Sequence, residues 1–424
     1  MMTPKLSPHE QALVLLCSRL ALPGRGVAPL KADEWSTLWA ELSGRGVKDA
    51  SELIALAPRQ LVERGVTQQL ATRVAELLGR GTALALELER LQSRGVWVAT
   101  HDGEHGYPRR WSERLGSKAP VVVCGAGDAS LLDEDAVTVV GSRDVDEEGS
   151  FFAATVGARA AEIGWAVVSG GARGVDRAAV EGALKGGGHA IEVLADGFEK
   201  ALRDVGRRRH VEQGRLCVIT AFHPAQPFSV DVVMARNRLL YTLGRVAFVA
   251  ASDEGRGGTW AGAVENLKAG WVPVFVRDGA QVPRGNRALV ERGAKPVTIQ
   301  SLPRGRALVA WLADPAQPLP QPEVAVVRER RAEWDQEGGG ATPVTRPAVE
   351  PAPPVDEGAV DVYSLVLPRL KAYCERPRAE RDIKDAFVLE ASQLKKWLKL
   401  AVAGRHLKKL SRPVRYQTEH RMFD

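Results

Sequence analysis

The chain of 424 residues predicts an α/β protein, a doubly wound parallel sheet with a helical segment before it and a basic helical segment after it. Three observations carry that expectation. Between Val137 and Val276 short apolar runs alternate with helix-patterned stretches, and strands buried on both faces with helical crossovers make a parallel sheet. From residue 7 to about 92 the apolar spacing is helical. Residues 314–358 are rich in Pro and Gly and hold too little apolar surface to pack, so they separate off a last segment.

The elements follow in order. "SPHEQALVLLCSRL" opens on Ser7, which can cap a helix together with Glu10 three residues on. "DASELIALAPRQLVERGVTQQLATRVAELL" repeats helix, Gly turn, helix, in the manner of helix-hairpin-helix or SAM-like modules, so residues 1–92 are read as one helical domain. From Gly95 the texture changes, and "GVWVATHD" and "APVVVCGAG" read as short strands around the turn-rich "GEHGYPRRW". Further strands are expected at Val137–Val140, Ala166–Ser169, Ala190–Leu194, Leu216–Thr220, Val246–Ala250 and Val272–Val276. Helices are expected near 149–163, 175–186, 198–213, 234–243 and 259–269, which completes a sheet domain over 93–313. Beyond the linker at 314–358, "VYSLVLPRLKAYCE" and "EASQLKKWLKLAVAGRHLKKL" have helical periodicity and "SRPVRYQ" reads as a short strand. Three helices and a β-wing make residues 359–424 winged-helix-like, with Lys395, Lys396 and Lys399 on or beside the recognition helix as a secondary DNA contact.

An apolar content of 45% and a charged content of 26% are globular values. The four cysteines (Cys17, Cys124, Cys217, Cys374) form no C-x-x-C pair, so neither a zinc site nor a disulfide framework is expected, and a reducing cytoplasm is the natural compartment. No basic-then-apolar leader opens the chain and no apolar run is long enough to span a bilayer, so no membrane partner is expected. The net charge is +6, and residues 359–424 hold fifteen Lys/Arg against eight Asp/Glu. The positive excess therefore lies at the C-terminal end, where it suggests a polyanion contact.

Three loops at expected strand ends carry the chemistry. Gly141-Ser142-Arg143 is a tight turn that leaves an arginine at the lip. Ser169 to Asp176 runs through Gly170, Gly171, Arg173 and Gly174 into a helix start; it is neither a G-x-G-x-x-G fingerprint nor a P-loop, but its glycines permit close backbone approach and its helix offers free N–H groups. Gly258 and Thr259, in "GRGGT", open another helix in the same way. Arg236 and Arg238 flank Asn237 at a further helix start, supplying charge and an amide able to tie down a neighbouring turn. Ligands of doubly wound sheets bind at the C-terminal strand ends, and backbone donors with arginines suit phosphate oxygens. No histidine has an evident nucleophile partner and no metal-ligand spacing occurs, so no catalytic residue, metal or cofactor is expected.

"VTVVGSR", "VVSGGARGVDRAA", "GGHAIEVLADG", "ARNRLLYTLG", "GGTWAGAVENLKAGWVPVFV" and "GNRALVERGA" stand in the order and spacing of the DprA/Smf family, DNA-processing protein A, which the chain resembles over roughly residues 95 to 300. The resemblance implies an extended Rossmann-like domain that binds single-stranded DNA as a homodimer and hands the strand to the RecA recombinase during natural transformation. It implies that Arg143 and the Ser169–Asp176 loop border the DNA pocket, that Arg236-Asn237-Arg238 is the family's R-N-R, and that Gly258-Thr259 is its phosphate turn. The chain departs from the family pattern at Val180, where a histidine is common, at Thr220-Ala221 in place of Ser-Glu, and in the basic "RDVGRRRHVEQG". Two alternatives stand beside it: a LOG-type nucleotide phosphoribohydrolase and a Rossmann protein that senses a nucleotide or sugar phosphate. The LOG loop needs a glutamate three residues after its threonine, whereas Glu265 falls six after Thr259.

Overall fold

A computed structural model of the protein describes residues 6–22 and 26–313, and single positions with two short strands between 370 and 418. The chain divides into two compact units, Met1–Val327 and Arg328–Asp424.

The first unit is built on nine strands: β1 (Val96–Thr100), β2 (Val122–Ala126), β3 (Ala136–Val140), β4 (Ala166–Ser169), β5 (Ala190–Val193), β6 (Leu216–Thr220), β7 (Val246–Val249), β8 (Val274–Arg277) and β9 (Lys295–Val297). Their order in the sheet is β1-β2-β6-β5-β4-β3-β7-β8-β9. Strands β3 to β9 pair in parallel, as the alternating pattern predicts. The two strands before them are different: β1 pairs antiparallel with β2, and β2 antiparallel with β6. The sheet is therefore mixed, with a hairpin closing one edge of a doubly wound core.

Alternate residues of each strand serve two core layers. Val137, Val139, Val246 and Phe248 face one layer, while Ala136, Val140, Ala247 and Val249 face the other. Helices α1 (Pro8–Cys17), α2 (Ala32–Ser43), α3 (Pro58–Glu63), α4 (Gln68–Leu78) and α5 (Gly81–Gln92) precede the sheet. Ser7 and Glu10 form the expected capping box of α1, the Glu10 N–H donating to Ser7 Oγ at 3.2 Å and the Ser7 N–H to Glu10 Oε2 at 2.9 Å. Leu13, Leu16, Leu38 and Leu77 join one continuous apolar cluster with the first layer of the sheet.

The remaining helices are α6 (Arg109–Leu115), α7 (Glu147–Glu162), α8 (Val175–Lys185), α9 (Phe198–Ala201), α10 (Val205–Glu212), α11 (Val230–Leu243), α12 (Gly257–Ala269), α13 (Arg284–Glu291) and α14 (Gly305–Ala313). Several bounds differ from the sequence reading. The helix expected over 198–213 is two helices, because Asp204 accepts from the Arg207 N–H at 2.9 Å and starts α10 afresh. α11 starts at Val230, four residues earlier than its apolar pattern suggests. Strand β8 starts after Pro273, which has no N–H for the ladder. The short edge strand β9 was not foreseen.

In the second unit, β10 (Leu407–Leu410) and β11 (Arg415–Thr418) form an antiparallel pair. Residues 407–410 are thus strand rather than the end of a helix. Leu370, Cys374, Ile383, Leu394, Leu398 and Tyr416 are buried in one cluster. Lys395, Lys396 and Lys399 lie outside the described residues.

Candidate functional site

The strand order reverses at β3, with β4 on one side and β7 on the other, so a crevice opens beyond their C-terminal ends. The turn after β3 is fixed on both flanks. Ser142 donates its N–H to Ala251 O at 2.9 Å, and its carbonyl accepts from the Val175 N–H at 3.3 Å. Ser142 Oγ closes its own turn against Asp144. Gly174 sits at φ +81°, and a Cβ there would press on the Ser142 carbonyl, so this glycine lets α8 begin directly under the turn. The result is an exposed Arg143 at the lip.

The β4–α8 loop shapes the floor. Ser169 Oγ donates to Val139 O at 2.7 Å and is fully buried, a stitch between strands rather than a ligand group. Asp176 is 6% exposed, and its Oδ2 accepts from the Ala172 N–H at 3.3 Å. Burial pushes its carboxyl up to about 6, against the pull of Arg236. Arg236, on α11, is equally buried; its guanidinium passes so close to Gly170 that any Cβ there would collide with it. Burial lowers its pKa, Asp176 opposes that shift, and Arg143 adds to it. Two arginines close enough to repel at one lip favour an anion between them.

Neighbouring side chains hold the frame. Arg207 of α10 donates to Glu192 Oε2 at 2.7 Å and to Gly171 O at 2.8 Å, tying α10 to the loop. Asn237 donates to Gly258 O at 2.9 Å and so aims the start of α12, which no side chain caps. This is the tying role expected of an amide between two arginines. Arg238 pairs with Glu265 at 3.2 Å, the glutamate that stands out of place for a LOG-type loop.

Two adjoining clefts of ≈ 600 and ≈ 660 Å³ share Arg143, Ala172 and Arg236. The first lies between the ends of β3 and β7 and the helices α11 and α12. It takes in Gly141, Ser142, Arg143, Asp176, Arg236, Asn237, Gly258 and Thr259 of the expected set. The second lies over α9 and α10 and takes in Gly170, Gly171 and Arg173. Ser169, Gly174 and Arg238 line neither. Arg173 is exposed and, among the described residues, forms no ion pair, so it does not hold the turn through Asp176. The sequence reading missed Lys200, Arg203 and Arg207, which line the second cleft, and Phe228, which stands 59% exposed at the mouth of the first. The basic run "RDVGRRRH" was the available signal for the arginines; Phe228 had only its place between Pro227 and Ser229. Among the described residues no group of three or more His, Cys, Asp or Glu could hold a metal ion, and no helix is long and apolar enough to cross a membrane.

The family model for DNA recombination-mediator protein A matches residues 98–302, the segment that carries both clefts. The protein of Mycobacterium tuberculosis named for DNA processing, DprA, is 31% identical over 290 residues, which are 63% of this chain and 73% of that one. The chain belongs to the DprA family. The DNA processing protein DprA of Streptococcus pneumoniae is 30% identical over 190 residues, 42% of this chain and 64% of that one. A solved structure of DprA from S. pneumoniae matches with a TM-score of 0.46 and 22% identity, covering 66% of this chain and 98% of that one. A structure of Helicobacter pylori DprA, concerned with its single-stranded DNA binding mode, matches with a TM-score of 0.41 and 23% identity, covering 51% and 96%. The GSR and GGARG stretches follow β3 and β4, the GGT stretch opens α12, and the RNR stretch lies inside α11 rather than at a helix start.

Proposed function

We propose that this protein binds single-stranded DNA in the joined clefts, without catalysing a reaction, and delivers the strand to the RecA recombinase in DNA uptake and recombination. The observation that carries the reading is the continuity of the clefts through Arg143 and Arg236, with Arg173, Lys200 and Arg203 extending the same basic path. A flexible single strand can follow two adjoining clefts with its phosphates inward more readily than a duplex, whose persistence length of about 50 nm makes it stiff on this scale. Phe228 offers one stacking face at the mouth, so base contact supplements phosphate contact there. The DprA relationship supports delivery to RecA, action as a homodimer and a cytoplasmic location.

The direct test is a comparison of oligo-dT with a blunt duplex of equal length at one salt concentration. The expected result is preference for the single strand by about tenfold or more. Equal affinity for the two would sink the reading.

A further inference from the structure

We infer that Glu199 is a positioning residue of the groove: two arginines at the end of the helical segment hold it, and so aim Lys200 at the bound strand. The inference rests on the single-strand reading above. Lys200 lines the second cleft, is exposed and, among the described residues, forms no ion pair. Where its ammonium stands is therefore decided by α9, the element that carries it. α9 has little hold of its own. It is four residues long and starts at Gly197, which has φ +63° and no capping side chain. Phe198 is 1% exposed and pins it to the core. The Gly197 and Glu199 N–H groups donate to Gln226 O at 3.2 Å and Pro224 O at 3.3 Å, within a stretch, 221–229, that forms neither helix nor strand. One buried side chain and two bonds to an irregular loop oppose turning about Phe198 only weakly.

The stronger hold comes from the helical segment. Arg90 of α5 donates from Nη2 to Glu199 Oε1 at 2.9 Å, and Arg94, between α5 and β1, donates from Nη1 to Glu199 Oε2 at 2.7 Å. Arg90 is fixed in turn by Glu87, to which Nε and Nη2 each donate at 2.7 Å. The Glu199 and Glu87 side chains are 18% and 17% exposed, so these pairs are shielded from solvent and stronger than an isolated surface pair. Consecutive residues of a helix point about 100° apart. Holding Glu199 against the end of α5 therefore sets the direction of Lys200, on the cleft side. Neither Arg90 nor Arg94 lines either cleft, so both act through Glu199. A bare carboxylate beside a phosphate-binding lysine would repel the strand. Two arginines neutralise this one, and what it contributes is geometry.

The test uses the full chain and oligo-dT over a range of salt concentrations, with a melting temperature for every variant. Glu199→Gln keeps the size of the side chain and removes a negative charge beside the strand. Glu199→Asp keeps the charge but is one methylene too short to meet both arginines. Positioning predicts weaker binding by both, about three- to tenfold at low salt, with the slope of log affinity against log salt lower by roughly 0.7 as one phosphate contact is lost. Charge alone predicts tighter binding by Glu199→Gln and no change in Glu199→Asp. That pair of results overturns the inference and leaves the single-strand reading in place, as does a lower melting temperature with affinity and slope unchanged. Lys200→Ala should lose the same slope, and combined with Glu199→Gln it should lose less than the two single losses together, because both remove one contact. Strictly additive losses would place the effect of Glu199 elsewhere and overturn its role toward Lys200. Failure of the unaltered chain to bind oligo-dT would overturn the strand reading and this role with it.

Discussion

Asp176 and Arg236 set the electrostatics of the groove floor, and their burial gives the site a pH dependence with a definite sign. The Asp176 carboxyl titrates near 6 in the folded chain, above its ordinary 3.8. The folded state therefore holds this proton more tightly, and the stability linked to it falls as pH rises from 3.8 toward 6. The same titration governs anions. Below about 6 the carboxyl is neutral and Arg236 faces the cleft uncompensated; above it a negative charge sits beneath the phosphates. Affinity for oligo-dT should rise roughly three- to tenfold from pH 7.5 to 5.5 at low salt. Asp176→Asn keeps an oxygen for the Ala172 N–H and should hold the higher affinity across that range; a wild-type pH profile in this variant would refute the assignment. At the lip, Arg143→Ala and Arg173→Ala should each lower the slope of log affinity against log salt by roughly 0.7, with little change in melting temperature. Unchanged slopes in both variants would remove these arginines from the binding mechanism.

Between elements, α7 and α8 pack backbone against backbone and place Val175 and Asp176 under the β3 turn. Gly157 of α7 and Gly182 of α8 make it possible: a Cβ on Gly157 would strike the Ala179 carbonyl, and one on Gly182 the Ala154 carbonyl. Both obstacles are backbone, so neither can yield without moving a helix. Gly182→Ala should lower stability by about 1–3 kcal/mol, seen as a melting temperature several degrees lower. A melting temperature unchanged within error would show that the helices part freely. Elements of this kind were legible in the sequence wherever composition announced them: Val- and Ala-rich runs marked β3, β4 and β7, the first two leading directly into Gly141 and Gly170 and the third into the Gly-rich loop that bears Gly258. What depends on distant partners was not legible. The break before α10 comes from the Asp204 cap inside a basic stretch with no Gly or Pro at the break. The depth of Asp176 and Arg236 follows from the packing of α8, α11 and β4 together. The hold of Glu192 on Arg207 joins residues fifteen apart, from a strand to a helix. The β1–β2 hairpin read correctly as two strands, but its antiparallel place beside β6 follows from sheet order, which local pattern does not encode.

Across the whole molecule, charge and groove are allotted to different parts of the chain. The clefts belong to Met1–Val327, whereas the positive excess of fifteen Lys/Arg over eight Asp/Glu lies in residues 359–424. The two units are separately compact, and the Pro- and Gly-rich residues 314–358, which span their division, have a composition unsuited to a shared core. Removing residues 359–424 should therefore leave the melting temperature of the sheet unit unchanged. A second, tethered polyanion contact would add to the groove chiefly by raising effective concentration, so its loss should weaken oligo-dT binding by about tenfold or more at low salt. The truncated chain should also show a shallower salt dependence, since fewer phosphates are neutralised. Binding should persist, because Arg143, Arg173, Arg236 and the start of α12 remain in place. Affinity and melting temperature measured together separate the outcomes. A truncated chain that melts normally but retains no affinity would move the principal site to the basic segment, and one with undiminished affinity and slope would leave that segment's charge to some other polyanion.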